Sequence, residues 1–252
     1  MKPIISVIIP ALDEEKPIGA VVRDCLATGL PDEVIVVDNG STDATAERAR
    51  EGGARVVAAP RGYGRACAAG IAAADPRSEI LVFLDGDGSD CPELMERLVR
   101  PIAEGTADFV IGSRVRGERE PGSMNFQQIF AGHLAGCLLR LLYRVRYTDM
   151  CAFRAIHRDA LAGLGMKEET YGWNLEMQMK AARAQLRILE VPVNHRCRRG
   201  GVSKVSGTLR GTTVAGMRIM TTLLRIATEQ DEADSRSRKN FSPGLQGRGT
   251  NK

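Results

Sequence analysis

The segment Ile4-Ile5-Ser6-Val7-Ile8-Ile9-Pro10 is an almost unbroken run of β-branched residues in this chain of 252 residues. Two further runs of the same kind lie at Val34 to Val37 and at Ile80 to Leu84. Strands that are apolar at consecutive positions are buried on both faces, which is typical of parallel sheets covered by helices. Because helical stretches separate the three runs, the sequence predicts a layered α/β fold.

Shorter runs extend the predicted, mostly parallel sheet, and helices flank it. The additional predicted strands are Arg55 to Ala58, Phe109 to Ser113 and Arg187 to Val191. Helix positions follow from apolar periodicity, capping residues and a proline in a first turn. The predicted helices are Lys16 to Ala27, Asp43 to Glu51 behind the caps Ser41 and Thr42, Arg65 to Ala74, Pro92 to Ile102 and Trp173 to Ala184.

Two further helices are predicted to be amphipathic. Between residues 126 and 145, apolar residues recur at helical spacing and form one face, namely Phe130, Leu134, Cys137, Leu138, Leu141, Leu142 and Val145. A C-terminal helix, Leu209 to Ala227, has an apolar side and a basic edge of Arg210, Arg218 and Arg225. Such faces suit a membrane interface, and they equally suit packing on the sheet or in a dimer.

Composition and charge narrow the class of protein. With 43% hydrophobic and 26% charged residues, the chain suits a domain over residues 1–228, and the polar stretch 229–252 is predicted to be disordered. Residues 1–100 carry 11 Lys/Arg and 17 Asp/Glu, which leaves 24 and 14 for the rest, so the two parts have charges of −6 and +10. The acidic part suits a cation and the basic part suits phosphates or an anionic membrane surface.

The six cysteines and the first residues indicate the compartment. The cysteines form no CxxC pair and no zinc spacing, and the N-terminal stretch has no cleavable apolar core. The expectation is therefore a reduced, cytoplasmic protein.

The strongest chemical signal is Asp85-Gly86-Asp87-Gly88-Ser89-Asp90, which directly follows an apolar strand. Two carboxylates one residue apart at the end of a strand can turn into the same loop. Mg²⁺ and Mn²⁺ prefer one or two carboxylates together with phosphate and water oxygens. The alternative is a turn rich in acidic residues without a metal, which is common after strands.

Two weaker signals suggest a nucleotide. Asp38 follows a second strand, at the edge where open α/β sheets bind ligands, and would hydrogen-bond a nucleobase or ribose unless the stretch is simply a turn. Gly62 and Gly64 precede a helix of small residues, which suits backbone lying against a nucleotide. The P-loop motif is absent from the sequence, so phosphates are not held as in P-loop ATPases.

Taken in order, these and further motifs resemble the inverting GT-A glycosyltransferases of family 2, of the dolichyl-phosphate mannose synthase or polyprenyl-phosphate glycosyltransferase type. The resemblance covers about residues 4–228. The motifs that carry it are Pro10-Ala-Leu-Asp-Glu14, Val37-Asp-Asn-Gly-Ser-Thr-Asp-Ala-Thr45, Gly62-Tyr-Gly-Arg-Ala66, Asp85-Gly-Asp87, Gly112-Ser-Arg114, Asp149-Met-Cys-Ala-Phe-Arg154, Glu176 and Arg199-Gly-Gly-Val-Ser-Lys204.

The resemblance implies a GT-A fold with a donor and metal half at about 1–113 and an acceptor half at about 114–228. It implies Mg²⁺ or Mn²⁺ as cofactor, with Asp87 as the main ligand, Asp85 near ribose and metal, and Ser89 within reach. The implied donor-binding residues are Pro10, Leu12, Glu14, Asp38, Gly62, Gly64 and Arg65, joined by Arg199 and Lys204 of a basic loop over the diphosphate.

For the acceptor side, the resemblance places Arg114 against a phosphate, since a guanidinium matches phosphate geometry. Asp149 and Glu176 are the candidate carboxylates for orienting or deprotonating an acceptor, and each is equally suited to an ion pair with a neighbouring arginine. None of the three histidines is assigned a role. Trp173 is expected either to stack on a sugar or to pack in the interior.

Three functions from two classes follow. The first is metal-dependent, inverting transfer of a hexose from a UDP- or GDP-sugar to a polyprenyl phosphate, by a cytoplasmic protein in peripheral contact with the inner membrane face. The second is the same chemistry on a soluble phosphorylated or sugar acceptor. The third, a nucleic-acid-binding module, is disfavoured by an aromatic content of only 4%. The sequence does not decide between a monomer and a homo-oligomer.

Overall fold

The computed structural model of the protein describes residues 2–124 and 126–200. One sheet contains seven strands, in the spatial order β3-β2-β1-β4-β6-β5-β7. The strands are β1 (Ile5–Ala11), β2 (Glu33–Asp38), β3 (Arg55–Ala58), β4 (Ile80–Phe83), β5 (Phe109–Ser113), β6 (Arg154–His157) and β7 (Ile188–Pro192). All strand pairs are parallel except the two that β6 makes, so the mostly parallel α/β sheet is confirmed.

Helices cover the sheet as the periodicity predicts. They are α1 (Ile18–Ala27), α2 (Thr45–Glu51), α3 (Tyr63–Ala73), α4 (Met95–Ala103, after a 3₁₀ turn at Pro92–Leu94), α5 (Phe126–Tyr143), α6 (Arg158–Leu164) and α7 (Trp173–Arg183). In the described part of the chain, no helix combines the length and the apolar character that crossing a membrane requires. The predicted helix Leu209 to Ala227 and the tail 229–252 lie outside the described residues.

The sequence did not predict β6 and α6. Strand β6 lies between β4 and β5 and is antiparallel to both. It is only four residues long, and it begins with Arg154, whose side chain is fully buried. A central strand that contains arginine lacks the continuous apolar run by which the other strands are recognised.

The predicted caps of α2 are wrong. Helix α2 begins at Thr45, and the carboxylate of Asp43 accepts the backbone N–H of Thr45 at 3.0 Å. The hydroxyl of Ser41 instead accepts the backbone N–H of Asp13 at 3.0 Å, and Thr42 donates its N–H to the Asp13 carboxylate. These polar residues therefore connect the loops after β1 and β2, at the edge where a ligand would enter.

Helix α5 contacts the core through a different face from the predicted apolar one. Leu139 and Gly136 are buried, whereas Leu141 and Leu142 are 79% and 52% exposed. A Cβ atom on Gly136 would lie 2.2 Å from the carbonyl oxygen of Tyr147, so the glycine allows a close approach that a larger residue would prevent. Small residues thus determine the packing of α5 and leave large apolar side chains at the surface.

The three central strands are parallel and point to the same edge of the sheet, where β1 and β2 end side by side and β4 ends three residues earlier than β1. Ala11 pairs with Asp38 across β1 and β2, and Ile8 pairs with Phe83 across β1 and β4. Every residue of β1 and β4 is buried, so both faces of these strands are covered by packing. Loops that follow the three strands therefore open at one edge of the sheet, where open α/β sheets bind ligands.

Candidate active site

A cleft of about 420 Å³ opens at this edge of the sheet. The loops after β1, β2 and β4 form its floor, and the start of α3 and the loop before α7 form its wall. Its lining residues are Pro10, Ala11, Leu12, Glu14, Asn39, Arg61, Gly62, Tyr63, Asp85, Gly86, Asp87, Thr170 and Tyr171. Six of the residues predicted from the sequence are thus brought together, namely Pro10, Leu12, Glu14, Gly62, Asp85 and Asp87.

The turn that follows β4 holds its carboxylates by local hydrogen bonds. Asp87 accepts the backbone N–H of Ser89 at 2.9 Å and the Ser89 hydroxyl at 2.6 Å on the same oxygen, Oδ1. Tyr63 donates its hydroxyl to Asp85 Oδ1 at 3.2 Å, and the Asp90 carboxylate accepts the Asp85 backbone N–H at 3.0 Å. These contacts orient two acidic side chains before any ligand binds.

Burial and mutual repulsion make this cluster hard to ionise fully. Burial, followed by the negative charge of Asp87, raises the pKa of Asp85 to about 6. Burial, followed by the charge of Asp85, raises the pKa of Asp90 to about 8. Perturbed carboxylates that face a cleft are typical of functional sites, and a bound cation would relieve their repulsion.

The donor set fits a divalent cation shared with a ligand. In the described part of the chain, no group of three or more His, Cys, Asp or Glu side chains could hold a metal ion by itself. Asp85 and Asp87 supply carboxylate oxygens at the floor of an open cleft, which is the arrangement by which Mg²⁺ and Mn²⁺ are held together with substrate phosphates. Ser89 belongs to the same turn and donates its hydroxyl proton to Asp87, and its place as a metal ligand stays a prediction.

Gly62 directly precedes α3 and Gly64 lies in its first turn, and both admit close approach of protein backbone. A Cβ atom on Gly62 would lie 2.4 Å from the Glu169 carbonyl oxygen, and one on Gly64 would lie 2.0 Å from that of Glu168. The φ angle of Gly62, 143°, also favours glycine. Arg65 donates its backbone N–H to the Glu169 carbonyl at 3.1 Å and forms an ion pair with the Glu169 side chain. The close approach predicted for a nucleotide is therefore made at Gly64 by the loop before α7.

That loop supplies site residues that the sequence did not indicate. Thr170 and Tyr171 line the cleft opposite the β1 and β2 loops, and Tyr171 is 44% exposed. Trp173 is 3% exposed, so it packs in the interior. No motif distinguishes Tyr171 in the sequence, because its position depends on the docking of its loop against Gly62 and Gly64.

Asn39, rather than Asp38, lines the cleft after β2. Asn39 accepts the Gly62 backbone N–H at 2.9 Å and so joins the β2 loop to the start of α3. The Asp38 carboxylate accepts the backbone N–H of Ser41 at 2.9 Å. A contact from Asp38 to a nucleobase stays a prediction.

Beyond β5, the predicted catalytic residues pair with protein groups. Arg114 donates to both carboxylate oxygens of Asp149 at 2.7 Å, and its backbone N–H donates to the same carboxylate at 2.9 Å. Burial disfavours the ionised carboxylate, but the hydrogen bonds and charge of Arg114 outweigh it and lower the pKa of Asp149. A carboxylate held ionised in this way is a weak base, so its contacts favour a structural role.

Glu176 is also engaged away from the cleft. It is 1% exposed, and its carboxylate accepts the backbone N–H groups of Lys167 and Glu168 and pairs with Lys180 at 2.9 Å. These contacts hold the loop that carries Tyr171 onto α7. The assignment of Glu176 to acceptor activation stays a prediction.

The basic segment after β7 reaches the carboxylates through Arg198. Its guanidinium lies 3.0 Å from Asp87 Oδ2 and 2.5 Å from Glu14 Oε1. Arg199, which was predicted to contact the diphosphate, directs its side chain to Asp24 on α1 at 3.0 Å. Lys204 lies outside the described residues.

His195 belongs to the same neighbourhood, although the sequence assigned it no role. It is 6% exposed, and its Nδ1 atom lies 3.9 Å from Asp90 Oδ1. Burial, reinforced by the charge of Arg114, lowers the pKa of His195 to about 4, so the imidazole is neutral at pH 7. Only the tertiary structure brings it beside the turn after β4, because 105 residues separate His195 from Asp90 in the chain.

A mostly parallel sheet with a carboxylate-lined cleft at its carboxyl edge suits an enzyme that binds a nucleotide together with a divalent cation. Residues 6–165 match Glycosyl transferase family 2, and the chain belongs to this family. An uncharacterized glycosyltransferase of Mycobacterium tuberculosis is 37% identical over 214 residues, covering 84% of this chain and 94% of the relative. The undecaprenyl-phosphate mannosyltransferase of Micrococcus luteus is 33% identical over 201 residues, covering 73% of this chain and 80% of the relative.

A solved structure agrees with the fold. Glucosyl-3-phosphoglycerate synthase from Mycobacterium tuberculosis, in complex with Mn²⁺, UDP-glucose and phosphoglyceric acid, has a TM-score of 0.72 and 27% identity to this chain. The similarity covers 88% of this chain and 79% of that chain. The predicted GT-A fold and glycosyltransferase class are confirmed.

Proposed function

We propose that this glycosyltransferase moves a hexose from a UDP- or GDP-linked sugar to a polyprenyl phosphate, with inversion at the anomeric carbon and with Mg²⁺ or Mn²⁺ at Asp85 and Asp87. The observation that carries the proposal is the pair of carboxylates at the end of β4, in a cleft lined by the β1 and β2 loops. The mannosyltransferase relative favours the lipid acceptor.

The contacts of the site explain how the chain would promote transfer. Departure of the nucleoside diphosphate builds negative charge on the leaving oxygen, and a divalent cation, when bound, supplies opposing positive charge. Asp85 and Asp87 would hold that cation. The local hydrogen bonds from Tyr63 and Ser89 orient these carboxylates beforehand, so little reorganisation is required at reaction.

The acceptor side requires little base catalysis if the nucleophile is a phosphate, which is largely ionised at neutral pH. A second cavity of about 420 Å³ is lined by the loop after β5, including Arg119 and Ser123. Within the described residues, the Ser123 hydroxyl is buried without a hydrogen-bond partner. A cation and an unsatisfied donor in one cavity suit an acceptor phosphate.

The surface of α5 supports contact with a membrane face. Leu141 and Leu142 are exposed beside Arg140, Arg144 and Arg146, all of which are exposed. Apolar side chains flanked by arginines suit the interface of an anionic bilayer. We place the protein in the cytoplasm, in peripheral contact with the inner face of the membrane.

A soluble phosphorylated acceptor is the second candidate. The solved neighbour binds phosphoglyceric acid, and the cavity beside Arg119 would accept a small phosphate as well as a lipid phosphate. In this case the exposed leucines of α5 would serve a protein contact or none.

The experiment compares both acceptors with a panel of UDP- and GDP-sugars and Mn²⁺. We expect glycosylation of undecaprenyl phosphate in anionic vesicles, and a loss of at least about 1,000-fold in Asp87→Asn, because several kcal/mol of charge stabilisation are removed. The control is Asp108→Asn, which changes a carboxylate just before the first residue of β5, at the end of the strand away from the cleft. Activity on phosphoglycerate alone would establish the second candidate, and an undiminished Asp87→Asn would refute the metal site.

A vesicle flotation assay tests the membrane contact separately. The wild-type chain should float with anionic vesicles, and Leu141→Glu/Leu142→Glu should remain in the soluble fraction, because charged groups disfavour insertion into the interface. Equal flotation of both proteins would contradict the role given to α5.

A further inference from the structure

The guanidinium of Arg198 lies between two carboxylates of the cleft. It contacts Asp87 Oδ2 at 3.0 Å and Glu14 Oε1 at 2.5 Å, and its side chain is 28% exposed. Glu14 and Asp87 are both buried. Buried carboxylates require a nearby cation, so Arg198 supplies the charge that these two side chains need in the absence of a ligand.

Arg198 contacts Oδ2 of Asp87, which is the oxygen that a metal ion would use. The other oxygen, Oδ1, already accepts two hydrogen bonds from Ser89. A cation bound at Oδ2 would therefore compete with the guanidinium for the same position. The Arg198 side chain is long and partly exposed, so its guanidinium can leave Asp87 while the backbone of its segment stays folded.

The backbone around Arg198 is joined to the turn after β4. Arg199 donates its N–H to the Asp87 carbonyl at 3.0 Å, and Arg196 donates its N–H to the Ser89 carbonyl at 2.9 Å. A displacement of Arg198 therefore acts on a segment that is fastened to the proposed metal site itself.

The same segment is joined on its other side to the loop after β5. His195 donates its N–H to the Glu118 carbonyl at 2.9 Å and accepts the N–H of Glu120 at 3.0 Å. Segment 195–199 thus lies between the proposed metal turn and the loop that lines the second cavity. These hydrogen bonds provide a continuous physical connection between the two sites.

We propose that Arg198 is a positioning residue that takes the place of the divalent cation in the donor-free protein. Binding of the cation displaces the guanidinium from Asp87, and the shift of segment 195–199 is transmitted to residues 118–120. Donor binding would in this way prepare the acceptor cavity. The inference rests on the proposed function, because it takes Asp87 as a metal ligand.

The first test measures the affinity for Mn²⁺ alone, by electron paramagnetic resonance of the free ion, with no nucleotide present. Arg198→Gln should bind Mn²⁺ about threefold to tenfold more tightly than the wild-type chain, because the competing ion pairs are lost. Arg196→Gln removes the same charge two residues away, from a surface pair with Glu93, and should stay within about twofold of wild type.

Arg198→Lys keeps the charge without the planar guanidinium, so it should fall between the wild-type and Gln proteins. Equal or weaker Mn²⁺ binding by a folded Arg198→Gln would overturn the role of Arg198. Absence of Mn²⁺ binding in every protein, with UDP or GDP added as well as without it, would instead refute the metal site of the proposed function, so the two failures are distinguishable.

The second test follows amide hydrogen exchange in residues 114–124 and 193–200. Mn²⁺ should change the exchange rate of these segments at least about threefold in the wild-type chain, because the connecting hydrogen bonds are rearranged. In Arg198→Gln the same segments should no longer respond to the ion. A wild-type chain that binds Mn²⁺ without any response in these segments would overturn the proposed coupling.

Discussion

On the β4 side of the cleft, Asp85 and Asp87 face an open space and crowd one another, whereas beyond β5 Arg114 and Asp149 satisfy each other within the interior. Both sets of residues were candidates for catalysis from the sequence. Asp87 pairs with Arg198 through a side chain that is 28% exposed and can leave, so a charged residue is available for chemistry where its partner is absent or displaceable. Where the fold supplies a complete partner, the same residue type stabilises the architecture.

Breaking the compensated pair should have the largest effect on stability. Asp149→Asn leaves the Arg114 guanidinium, which is 17% exposed, without its carboxylate, so unfolding should cost about 3–5 kcal/mol less than in wild type. Urea denaturation at pH 7 measures this difference. The control Glu51→Gln breaks the exposed pair with Arg48 and should cost at most about 0.5 kcal/mol. Similar losses in both variants would contradict the comparison.

The same pair predicts a pH dependence of stability. The pKa of Asp149 is lower in the folded protein than its ordinary value of 3.8, so the folded state binds this proton less readily than the unfolded state. The stabilisation from Asp149 is therefore complete above about pH 4 and is lost as the pH falls through the folded pKa. Unfolding free energies of wild type and Asp149→Asn should differ by a constant amount from pH 7 to about pH 4 and by progressively less at lower pH. A difference that stays constant at lower pH would contradict this prediction.

A third prediction concerns the close contact between Gly64 of α3 and the loop before α7. Gly64→Ala places a Cβ atom against the Glu168 carbonyl oxygen, so the loop must shift, at a cost of about 1–3 kcal/mol. Because the displaced loop carries Thr170 and Tyr171, binding of Mn²⁺ with UDP or GDP should also weaken. Thermal unfolding and a calorimetric titration measure the two effects.

Gly163→Ala provides the matched control, because no described atom outside its own helix backbone and chain neighbours lies within 4 Å of the Cβ position on α6. This variant should be as stable as wild type or more stable by up to about 1 kcal/mol, and its nucleotide affinity should be unchanged. A Gly64→Ala protein as stable as Gly163→Ala would show that the loop is not tightly docked.

The smallest effect is expected from the exposed aromatic residue of the wall. Tyr171→Ala should weaken binding of the Mn²⁺–nucleotide complex by about threefold to tenfold with little change in melting temperature, because its ring lines the cleft without being part of the core. Trp173→Phe should show the reverse, a lower melting temperature and unchanged affinity, because Trp173 is buried. Identical behaviour of the two variants would remove Tyr171 from the site.

The sequence predicted the elements whose signals are local. The bounds of β3 and β5 agree with the prediction to the residue, and the other predicted strands and the helices α1 to α5 and α7 agree within about three. Apolar runs and helical periodicity reveal these elements because each residue is read with its near neighbours. The sequence did not reveal strand β6, because Arg154 is buried by polar contacts that no apolar pattern indicates, which include the carbonyl groups of Cys151 and Asn174.

For the site, motif spacing identified Asp85 and Asp87, because both carboxylates follow the same strand and share one turn. Tyr63 belongs to the predicted glycine motif and Arg198 to the predicted basic loop, but their contacts with that turn join distant parts of the chain. No local pattern distinguishes Tyr171 from other surface residues. The sequence also did not show that Arg114 pairs with Asp149 and Glu176 with Lys180, because it gives the charge of a residue and not its ion-pair partner.

By itself, therefore, the sequence determined the parallel sheet, the edge at which a ligand binds and the acidic turn after β4, because each depends on residues close together in the chain. The tertiary structure alone decided which charges are compensated and which face the cleft. It did so because burial and ion pairing depend on distances between segments that lie up to 184 residues apart, as in the contact between Arg198 and Glu14.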